Sequence, residues 1–396
     1  MRMISHKGYK YRIYPNEEQK ELIAMTIGSA RFVYNHMLGK SKEAYDKGEK
    51  LVSRNKFNYL LTPLKKEFPW LYDVDATALT SANDNLAVAF KKFFDKTAGF
   101  PKFHRKKDFG SYTSKRISGT NNISLGENFI RLPKLGNVKA KIHRLPAGNS
   151  TIKSATISQG TDDTCYVSVL FEYEQDITPV QSPGKVLGLD YKSDGLYEDS
   201  NGNIGDNHKY YRESHAKLAK EQRKLSHMIE SHIAGYKTIN GNRYPVYDRD
   251  LSECMNIRKQ RIKVARIHRH IANQRMDNLH KKSTEIANRY DTVCVEDLNM
   301  KAMSNKGFGN GKATMDNGYG MFLNMLAYKL ADRGKYFVKV DKWFPSSQIC
   351  SCCGSRKKLK LSERVYSCSC GLKIDRDLNA AINIKNEGLR LLNEVS

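Results

Sequence analysis

Two short apolar segments that each end in a carboxylate constrain the fold of this chain more than any other feature. Val186-Leu-Gly-Leu leads into Asp190, and Val293-Cys-Val leads into Glu296. Short apolar runs of this kind are typical of strands buried inside an α/β sheet. Acids at the carboxyl ends of such strands lie at the sheet edge where ligands bind. We therefore predict an α/β domain with an acidic pocket at one edge of its sheet.

A third acid lies far downstream, in the segment from Asp375 through Arg and Asp377 to Leu-Asn-Ala-Ala-Ile-Asn-Ile384. Its apolar spacing predicts a helix with Asp377 in the first turn, and Asp375 is expected to cap that helix. Three acids in one pocket repel one another unless cations lie between them. Two-metal phosphodiester cleavage has this requirement. Asp190, Glu296 and Asp377 are therefore the predicted catalytic ligands of two magnesium ions, with Asp375 as the alternative to Asp377.

Five of the eight cysteines fall in one short stretch, at positions 350, 352, 353, 368 and 370. No secretory signal is apparent at the N-terminus, so clustered cysteines indicate metal ligands in a reducing compartment. Four thiolates suit tetrahedral structural zinc, and a glycine follows each pair as a tight turn requires. The predicted zinc ligands are Cys350, Cys353, Cys368 and Cys370. Cys352 offers a fifth thiol, and the spacing leaves open whether Cys350 or Cys352 is the ligand.

The charge of the chain predicts a polyanionic partner. Lys and Arg number 67 against 42 Asp and Glu, which gives a net charge of +25. A surplus of this size repels itself unless a polyanion neutralises it. An anionic membrane is disfavoured because no run of about 18 apolar residues is present. Nucleic acid is therefore the expected partner.

Two basic segments are the candidates for nucleic-acid binding. The first interleaves cations with Phe93, Phe94, Phe100 and Phe103, and the second is a predicted long helix. Cations of such segments contact phosphates, whereas we expect the phenylalanines to pack in a core. The candidate contacts are Lys102, Arg105, Lys106, Lys107, Arg258, Arg261, Arg266 and Arg275.

The rest of the chain divides into segments with different residue patterns. An alternating strand at Tyr9–Tyr14 precedes a capping box at Asn16 and helices to about residue 95. Short strands across 99–177 predict a small β-barrel that the N-terminal strand completes. Long basic helices are predicted at 209–233 and 254–289, and the polar, Tyr-rich stretch 235–250 between them is predicted as a loop without an assigned function. The Gly-rich stretch 301–320 is either a lid or an ordinary connection.

Four ordered motifs resemble the RuvC-like nuclease of the TnpB family, the RNA-guided nucleases of bacterial insertion sequences and ancestors of type V CRISPR effectors. The similarity extends over nearly the whole chain, including Tyr11–Pro15, Gly99–Phe103 and Ile271–Arg275. The family motif favours Asp377 over Asp375 as the third acid. The four motifs are Gly188-Leu-Asp190, Val295-Glu-Asp-Leu-Asn-Met300, Ser346-Ser-Gln-Ile-Cys350 and Asp375-Arg-Asp-Leu-Asn-Ala-Ala381.

The resemblance implies a multidomain α+β fold. An N-terminal wedge-like β-barrel is expected at 1–14 and 96–180, with a helical recognition lobe inserted at 15–95. An RNase-H-like (RuvC) α/β nuclease domain is expected at 184–347 and 374–396. A zinc finger at 348–373 is expected to be inserted into that nuclease domain.

The resemblance also implies the function. The expected activity is RNA-guided cleavage of double-stranded DNA beside a short flanking motif, with magnesium, structural zinc and a guide RNA encoded near the transposon end. A monomer with one RNA, located in the cytoplasm and on the nucleoid when bound to target, is expected. The alternatives are a catalytically inactive RNA-guided DNA-binding regulator and a strand-transfer transposase. The presence of all three acids argues against the regulator.

Overall fold

The computed structural model describes residues 2–49, 53–105, 110–146, 148–206, 208–303, 316–360 and 362–395. The chain forms two compact units, Arg2–Gln175 and Asp176–Ser396. None of the described helices combines the length and apolar character needed to cross a membrane.

The first unit begins with β1 (Arg2–Tyr14) and continues into three helices. The predicted capping box is confirmed: the Asn16 side chain accepts from the Gln19 backbone, and the Gln19 side chain accepts from the Asn16 backbone. Buried apolar residues on these helices share one hydrophobic core with the strands that follow. The helices are α1 (Glu17–Asp46), α2 (Arg54–Glu67) and α3 (Ala76–Phe94).

Seven strands of the first unit form one sheet, and the N-terminal strand lies in its middle, between β7 and β5. Antiparallel pairing places Ile13 opposite Ala140. Among the described strands, β2 and β3 are the two edges, so closure into a barrel stays a prediction. The further strands are β2 (Gly110–Lys115), β3 (Ser124–Leu125), β4 (Phe129–Leu132), β5 (Gly136–Lys141), β6 (Ser150–Gln159) and β7 (Cys165–Asp176).

The prediction that the phenylalanines around residue 100 pack in a core was wrong for three of them. Phe94, Phe100 and Phe103 are 58%, 39% and 49% exposed. Phe94 and Phe100 lie beyond the buried Phe90, in a small cluster where Phe93 contacts both rings edge-on at 5.4 and 5.3 Å between ring centroids. The Phe103 ring instead lies beside the Lys42 ammonium group. Because the helix ends at Phe94, its last turn projects past the core that buries Leu79 and Leu86.

The second unit is built on a five-stranded sheet with the order β10-β9-β8-β13-β14. The strands β8, β13 and β14 are parallel, and β9 returns antiparallel beside β8. These strands are β8 (Val186–Tyr191), β9 (Tyr197–Asp199), β10 (Ile204–Gly205), β13 (Thr292–Glu296) and β14 (Tyr336–Val340).

Helices cover the two faces of this sheet. Leu187, Leu189, Val293 and Val295 pack on one side against helices α5 and α7, and α8 packs on the other side. Short elements α6 (Met300–Met303), β15 (Val365–Ser367) and β16 (Lys373–Asp375) complete the unit. The main helices are α4 (Tyr210–Glu230), α5 (Met255–Arg289), α7 (Tyr319–Ala331) and α8 (Arg376–Val395).

The stretch between α4 and α5 is a β-hairpin, so the prediction of a loop at 235–250 was wrong. Strand β11 (Ile233–Ile239) pairs with β12 (Asn242–Tyr247) through a turn at Asn240-Gly241, where both residues have positive φ. Asn-Gly flanked by alternating Tyr, Ile and Val is a hairpin pattern, which the polar composition obscured. Of the Gly-rich stretch 301–320, residues 304–315 lie outside the described part of the chain, as do the predicted contacts Lys106 and Lys107.

Candidate active site and cysteine cluster

The face of the sheet that carries the acids is the face that packs against α8. Successive residues of a strand point to opposite faces, so Asp190 lies on the same face as Gly188, and Glu296 on the same face as Cys294. A Cβ on Gly188 would overlap the carbonyl oxygen of Ala381 in α8, and a Cβ on Gly388 of α8 would overlap the Cys294 sulfur. Small residues on the sheet and on the helix therefore allow a close approach on this face.

This close approach brings the three predicted acids together. Leu189 pairs with Val295 in the parallel ladder, so Asp190 and Glu296, one residue further along, are neighbours at the end of their strands. Asp377 lies in the first turn of α8. Asp375 accepts from the backbone N–H groups of Asp377 and Leu378 at 2.8 and 3.3 Å, and so caps the helix as expected.

Electrostatics reflect this crowding. The pKa of Asp190 is raised well above its usual range, first by burial and then by the charges of Glu296 and Asp377. Burial also raises the pKa of Glu296, although the Ser346 hydroxyl donates to it at 2.6 Å and opposes the shift. Asp190 and Glu296 are costly to ionise without a neighbouring cation, because burial disfavours the charged form of both and like charges add to the cost at Asp190. The arrangement therefore favours a bound cation.

A fourth acid, Glu198 on β9, was missed by the sequence reasoning. It lies directly opposite Asp190 in the antiparallel pair and is 5% exposed. Its carboxylate, with those of Asp375 and Asp377, offers ligand oxygens within 4.8 Å of one another. The sequence did indicate a short strand soon after Asp190. A strand that returns beside Asp190 places one of its residues opposite that acid, and this could have identified Glu198.

Lys192 supplies a positive charge among these acids. Its Nζ lies 2.7 Å from Glu198 Oε2 and 3.1 Å from Asp377 Oδ2, and its side chain is largely buried. Burial alone would lower the pKa of Lys192, but the hydrogen bonds to the two carboxylates raise it. The Lys192 backbone carbonyl accepts from Asn317 at 2.9 Å. The Lys192 ammonium group therefore lies between the carboxylates of Glu198 and Asp377.

Two asparagines of α8 attach the segment Ser346–Cys350 to the site. Asn383 donates to the carbonyl oxygens of Ser346 and Ile349, at 2.8 and 2.7 Å. Asn379 donates to Ile349 at 2.7 Å and accepts from the backbone of Ser351. Both side chains are buried. They hold Ser346 against Glu296, a role that their spacing of one helical turn indicates but that sequence reasoning did not assign.

The four predicted zinc ligands form one cluster of sulfur atoms. All four lie within 4.8 Å of one another, with Cys350 and Cys370 at 3.7 Å and Cys353 and Cys368 at 3.5 Å. A tetrahedral zinc site with bonds of about 2.3 Å has sulfur–sulfur edges of about 3.8 Å. The sulfur positions fit zinc, and of the two candidates left open by the spacing, Cys350 is in the cluster and the exposed Cys352 is not.

Neighbouring groups favour the thiolate form of two of these cysteines, Cys368 and Cys353, whereas the other cysteines of the cluster raise the pKa of Cys370. The backbone N–H of Cys370 and the Ser355 hydroxyl lower the pKa of Cys368. The Ser355 hydroxyl and backbone likewise lower the pKa of Cys353. Zinc binds thiolates, so these contacts suit the chemistry of a metal ligand.

The predicted nucleic-acid contacts differ in their surroundings. Lys102 and Arg105 are exposed in the first unit, and Arg258, Arg261 and Arg266 are exposed on α5. Arg275 instead donates to the buried carboxylate of Asp316 at 2.9 Å. A buried acid needs a counter-charge, so the surroundings of Arg275 favour a structural role over contact with phosphate.

Comparison with known proteins gives the family. The chain is 33% identical over 390 residues to a "Putative RNA-guided DNA endonuclease" of Streptomyces pristinaespiralis, covering 97% of this chain and 89% of the relative. Residues 168–306 match the OrfB_IS605 model, described as "Probable transposase", and residues 319–384 match the model of the "Cas12f1-like, TNB domain". The chain belongs to the TnpB family.

A second relative agrees with the TnpB assignment. The chain is 28% identical over 404 residues to the "Putative RNA-guided DNA endonuclease InsQ" of Escherichia coli K12, covering 98% of this chain and 93% of the relative. Residues 3–50 match a model described as "Helix-turn-helix domain", although residues 3–49 of this structure form one strand and one long helix. A solved structure of the mini-RNA-guided endonuclease CRISPR-Cas_phi3 aligns over 97% of this chain and 92% of that chain, at 13% identity and a TM-score of 0.40.

Proposed function

We propose that this TnpB-family chain is an RNA-guided DNA endonuclease. The observation that carries the proposal is the convergence of Asp190, Glu296 and Asp377 on one face of the sheet. These three positions come from the motifs that define the resemblance. RNA would read the target by base pairing, while the protein would read a short motif that flanks it.

Asp190, Glu296 and Asp377 are the proposed ligands of two magnesium ions, and Glu198 is added as a fourth carboxylate at the same edge. The donor set fits, since hard oxygen ligands are those that magnesium prefers. When bound, the ions would activate water and stabilise the leaving oxygen of the phosphodiester. Ser346 fixes the Glu296 carboxylate, and α8 holds Asp377 at the carboxyl end of β8.

The proposed architecture assigns the acid-bearing sheet to an RNase-H-like nuclease domain at 184–347 and 374–396. Three parallel strands with an antiparallel hairpin at one edge support this assignment. The seven-stranded sheet of the first unit is the proposed wedge domain, and its helices at 15–95 the recognition lobe. Residues 348–373 form the proposed zinc finger, whose four thiolates leave zinc without an open position for catalysis.

The proposed partners are a guide RNA encoded near the transposon end and double-stranded target DNA, bound by one copy of the chain. The net charge of +25 supports a partner rich in phosphates. Lys102, Arg105, Arg258, Arg261 and Arg266 are the proposed phosphate contacts among the described residues.

The experiment that tests the function begins by sequencing the RNA that co-purifies with the protein when its native flanking DNA is present. We expect one dominant structured RNA with a variable end. A duplex matched to that end should then be cut in the presence of magnesium, and removal of the RNA should abolish cutting.

Two results would contradict the proposal. Cleavage that persists after the RNA has been removed would favour a transposase, which needs only its end sequences. Bound RNA that directs DNA binding without any cleavage would favour the inactive regulator.

A further inference from the structure

The hairpin formed by β11 and β12 is a surface that the proposed function leaves unused. Four large side chains on it are exposed, with Tyr236 at 53%, Ile239 at 47%, Tyr244 at 45% and Val246 at 41%. Within the described part of the chain, no other helix or strand packs extensively against it. An isolated two-stranded hairpin is marginally stable in water. Exposed aromatic and aliphatic side chains on such a ribbon indicate a binding surface.

The two faces of the ribbon carry the same combination of groups. Directly opposed residues share a face, so Tyr236, which pairs with Pro245, lies on the face of Arg243, which pairs with Thr238. The Arg243 guanidinium lies 4.0 Å from the centre of the Tyr236 ring. On the other face, Tyr244 is the cross-strand partner of Lys237. Each face therefore presents one exposed tyrosine ring and one cation.

The charge of the ribbon selects the class of partner. No acidic residue occurs from Ile233 to Tyr247. Tyrosine rings stack on unpaired bases, whereas adjacent cations pair with phosphates, and single-stranded nucleic acid is bound by this combination. Bases within a duplex stack on each other and leave no face for a tyrosine. The chemistry of the ribbon therefore fits unpaired nucleotides.

The ribbon is attached firmly at its base. The Asp248 backbone donates to the His232 carbonyl at 2.9 Å, and the His232 ring lies 3.0 Å from the Asp248 carboxylate. Helices α4 and α5, which flank the ribbon, are joined by Gln260, which donates to the Glu221 carbonyl at 2.9 Å, and by an ion pair between Lys263 and Glu221. The ribbon therefore extends from the paired helices α4 and α5, which together form a helical arm.

This arm leads away from the sheet that carries the acids. Leu279 and Ile286, in the second half of α5, pack in the core of that sheet. Met255, at the other end of α5, follows the ribbon through residues 248–254. At about 1.5 Å per residue, the distance from Leu279 to Met255 is about 35 Å. That length matches about ten base pairs of duplex. Arg258, Arg261 and Arg266 are exposed along the arm.

We propose that the β11–β12 ribbon binds an unpaired segment of RNA, with bases stacked on Tyr236 and Tyr244 and phosphates paired with Arg243 and Lys237. The choice of RNA over DNA rests on the proposed function, because a guide RNA stays bound through the reaction. The ribbon is then a recognition element for a single-stranded part of that RNA, at the opposite end of α5 from the acidic site.

The test uses the full-length protein and a short single-stranded oligouridine that contains 4-thiouridine. We expect photocrosslinks to map to peptides containing Tyr236 or Tyr244. The double variant Tyr236→Ala/Tyr244→Ala should bind this RNA about tenfold more weakly, and Tyr236→Phe/Tyr244→Phe should bind it like the wild type, because phenylalanine retains the stacking face.

A matched control is Tyr328→Ala, since Tyr328 on α7 is also an exposed tyrosine, with 44% of its surface exposed against 45% for Tyr244. Its oligouridine affinity should be unchanged. A second variant that replaces 234–246 by a short Gly-Ser linker removes the ribbon without altering either helix, and it should match the double alanine variant.

Unchanged affinity in both ribbon variants, with crosslinks elsewhere, would overturn the proposal. A loss as large in the phenylalanine variant would exclude stacking. If the ribbon contributed equally to the affinity for single-stranded DNA or for a duplex, the assignment of unpaired RNA as its ligand would be wrong. These outcomes are distinct from failure of the proposed function, which appears as wild-type protein that binds oligouridine through the ribbon but does not cut matched DNA.

Discussion

The acidic site and the cysteine cluster lie in the same unit, yet they are assembled over very different stretches of chain. The four cysteines fall between Cys350 and Cys370, on two turns that each contain a glycine with positive φ. The acids come from β8, β9, β13 and the start of α8, so the site spans Asp190 to Asp377. Local turns suffice to place the sulfur atoms, whereas strand register and helix packing must both be correct to place the carboxylates.

This contrast predicts how each site would depend on its proposed metal. Local segments with few apolar contacts gain much of their folding free energy from the metal itself. The acidic site rests on packed strands and on α8, so its geometry is preformed, and the proposed magnesium ions would serve the chemistry. Removal of metal should therefore unfold one site and only inactivate the other.

The largest expected effect is on cleavage by Asp190→Asn. The substitution removes the charge of a proposed metal ligand and changes little volume. We expect the rate of guided cleavage to fall more than about 100-fold, beyond what loss of a residue that merely orients a ligand costs. The melting temperature and RNA affinity should stay near those of the wild type. Near-normal cleavage by this variant would show that the catalytic assignment is wrong.

Cys368→Ser should act on folding. We expect loss of the bound zinc, measured by elemental analysis, and a fall of several degrees in the melting temperature, since a structural zinc ligand is lost. Cys352→Ser is the matched control, because its thiol is exposed and outside the cluster, and it should keep zinc. Equal zinc loss in both variants would contradict the assignment of Cys350 over Cys352.

Two glycine substitutions sharpen the same comparison. Gly188→Ala should destabilise the protein by about 1–3 kcal/mol or more, because the new methyl group would force β8 away from α8. Gly354→Ala meets open space but keeps a φ of +77°, and should cost about 1–2 kcal/mol. Denaturant unfolding would measure both, and cleavage should fall mainly in the first. Equal effects of the two substitutions on cleavage would contradict the distinction between the acidic site, which depends on packing, and the cysteine cluster, which depends on local turns.

The smallest effect is expected for Lys192→Met. Loss of the ammonium group between Glu198 and Asp377 removes a charge that repels incoming cations, so the manganese concentration that gives half the thermal stabilisation should fall about tenfold. Lys339→Met is the control, since Lys339 pairs with Asp297 at 2.7 Å on an exposed surface. Weaker manganese binding by the Lys192 variant would mean that the lysine supports the metal site instead of competing with it.

Sequence reasoning succeeded where the interactions are short in range. The capping box at Asn16 and the cap formed by Asp375 involve residues within three positions of each other. It failed for the β11–β12 hairpin, where polar composition outweighed the Asn-Gly turn pattern. It also failed for Phe94, because helical spacing defines a face but does not say where the core under that face ends.

What the sequence by itself determined is the set of groups with chemistry: carboxylates that end buried strands, four cysteines on short turns, and a large positive charge. Only the tertiary structure decided how they combine. Glu198 joins Asp190 because β9 returns antiparallel beside β8, and Lys192 lies between Glu198 and Asp377 because α8 packs closely over Gly188. Such contacts depend on register and on close approach between distant segments, which no spacing along the chain encodes.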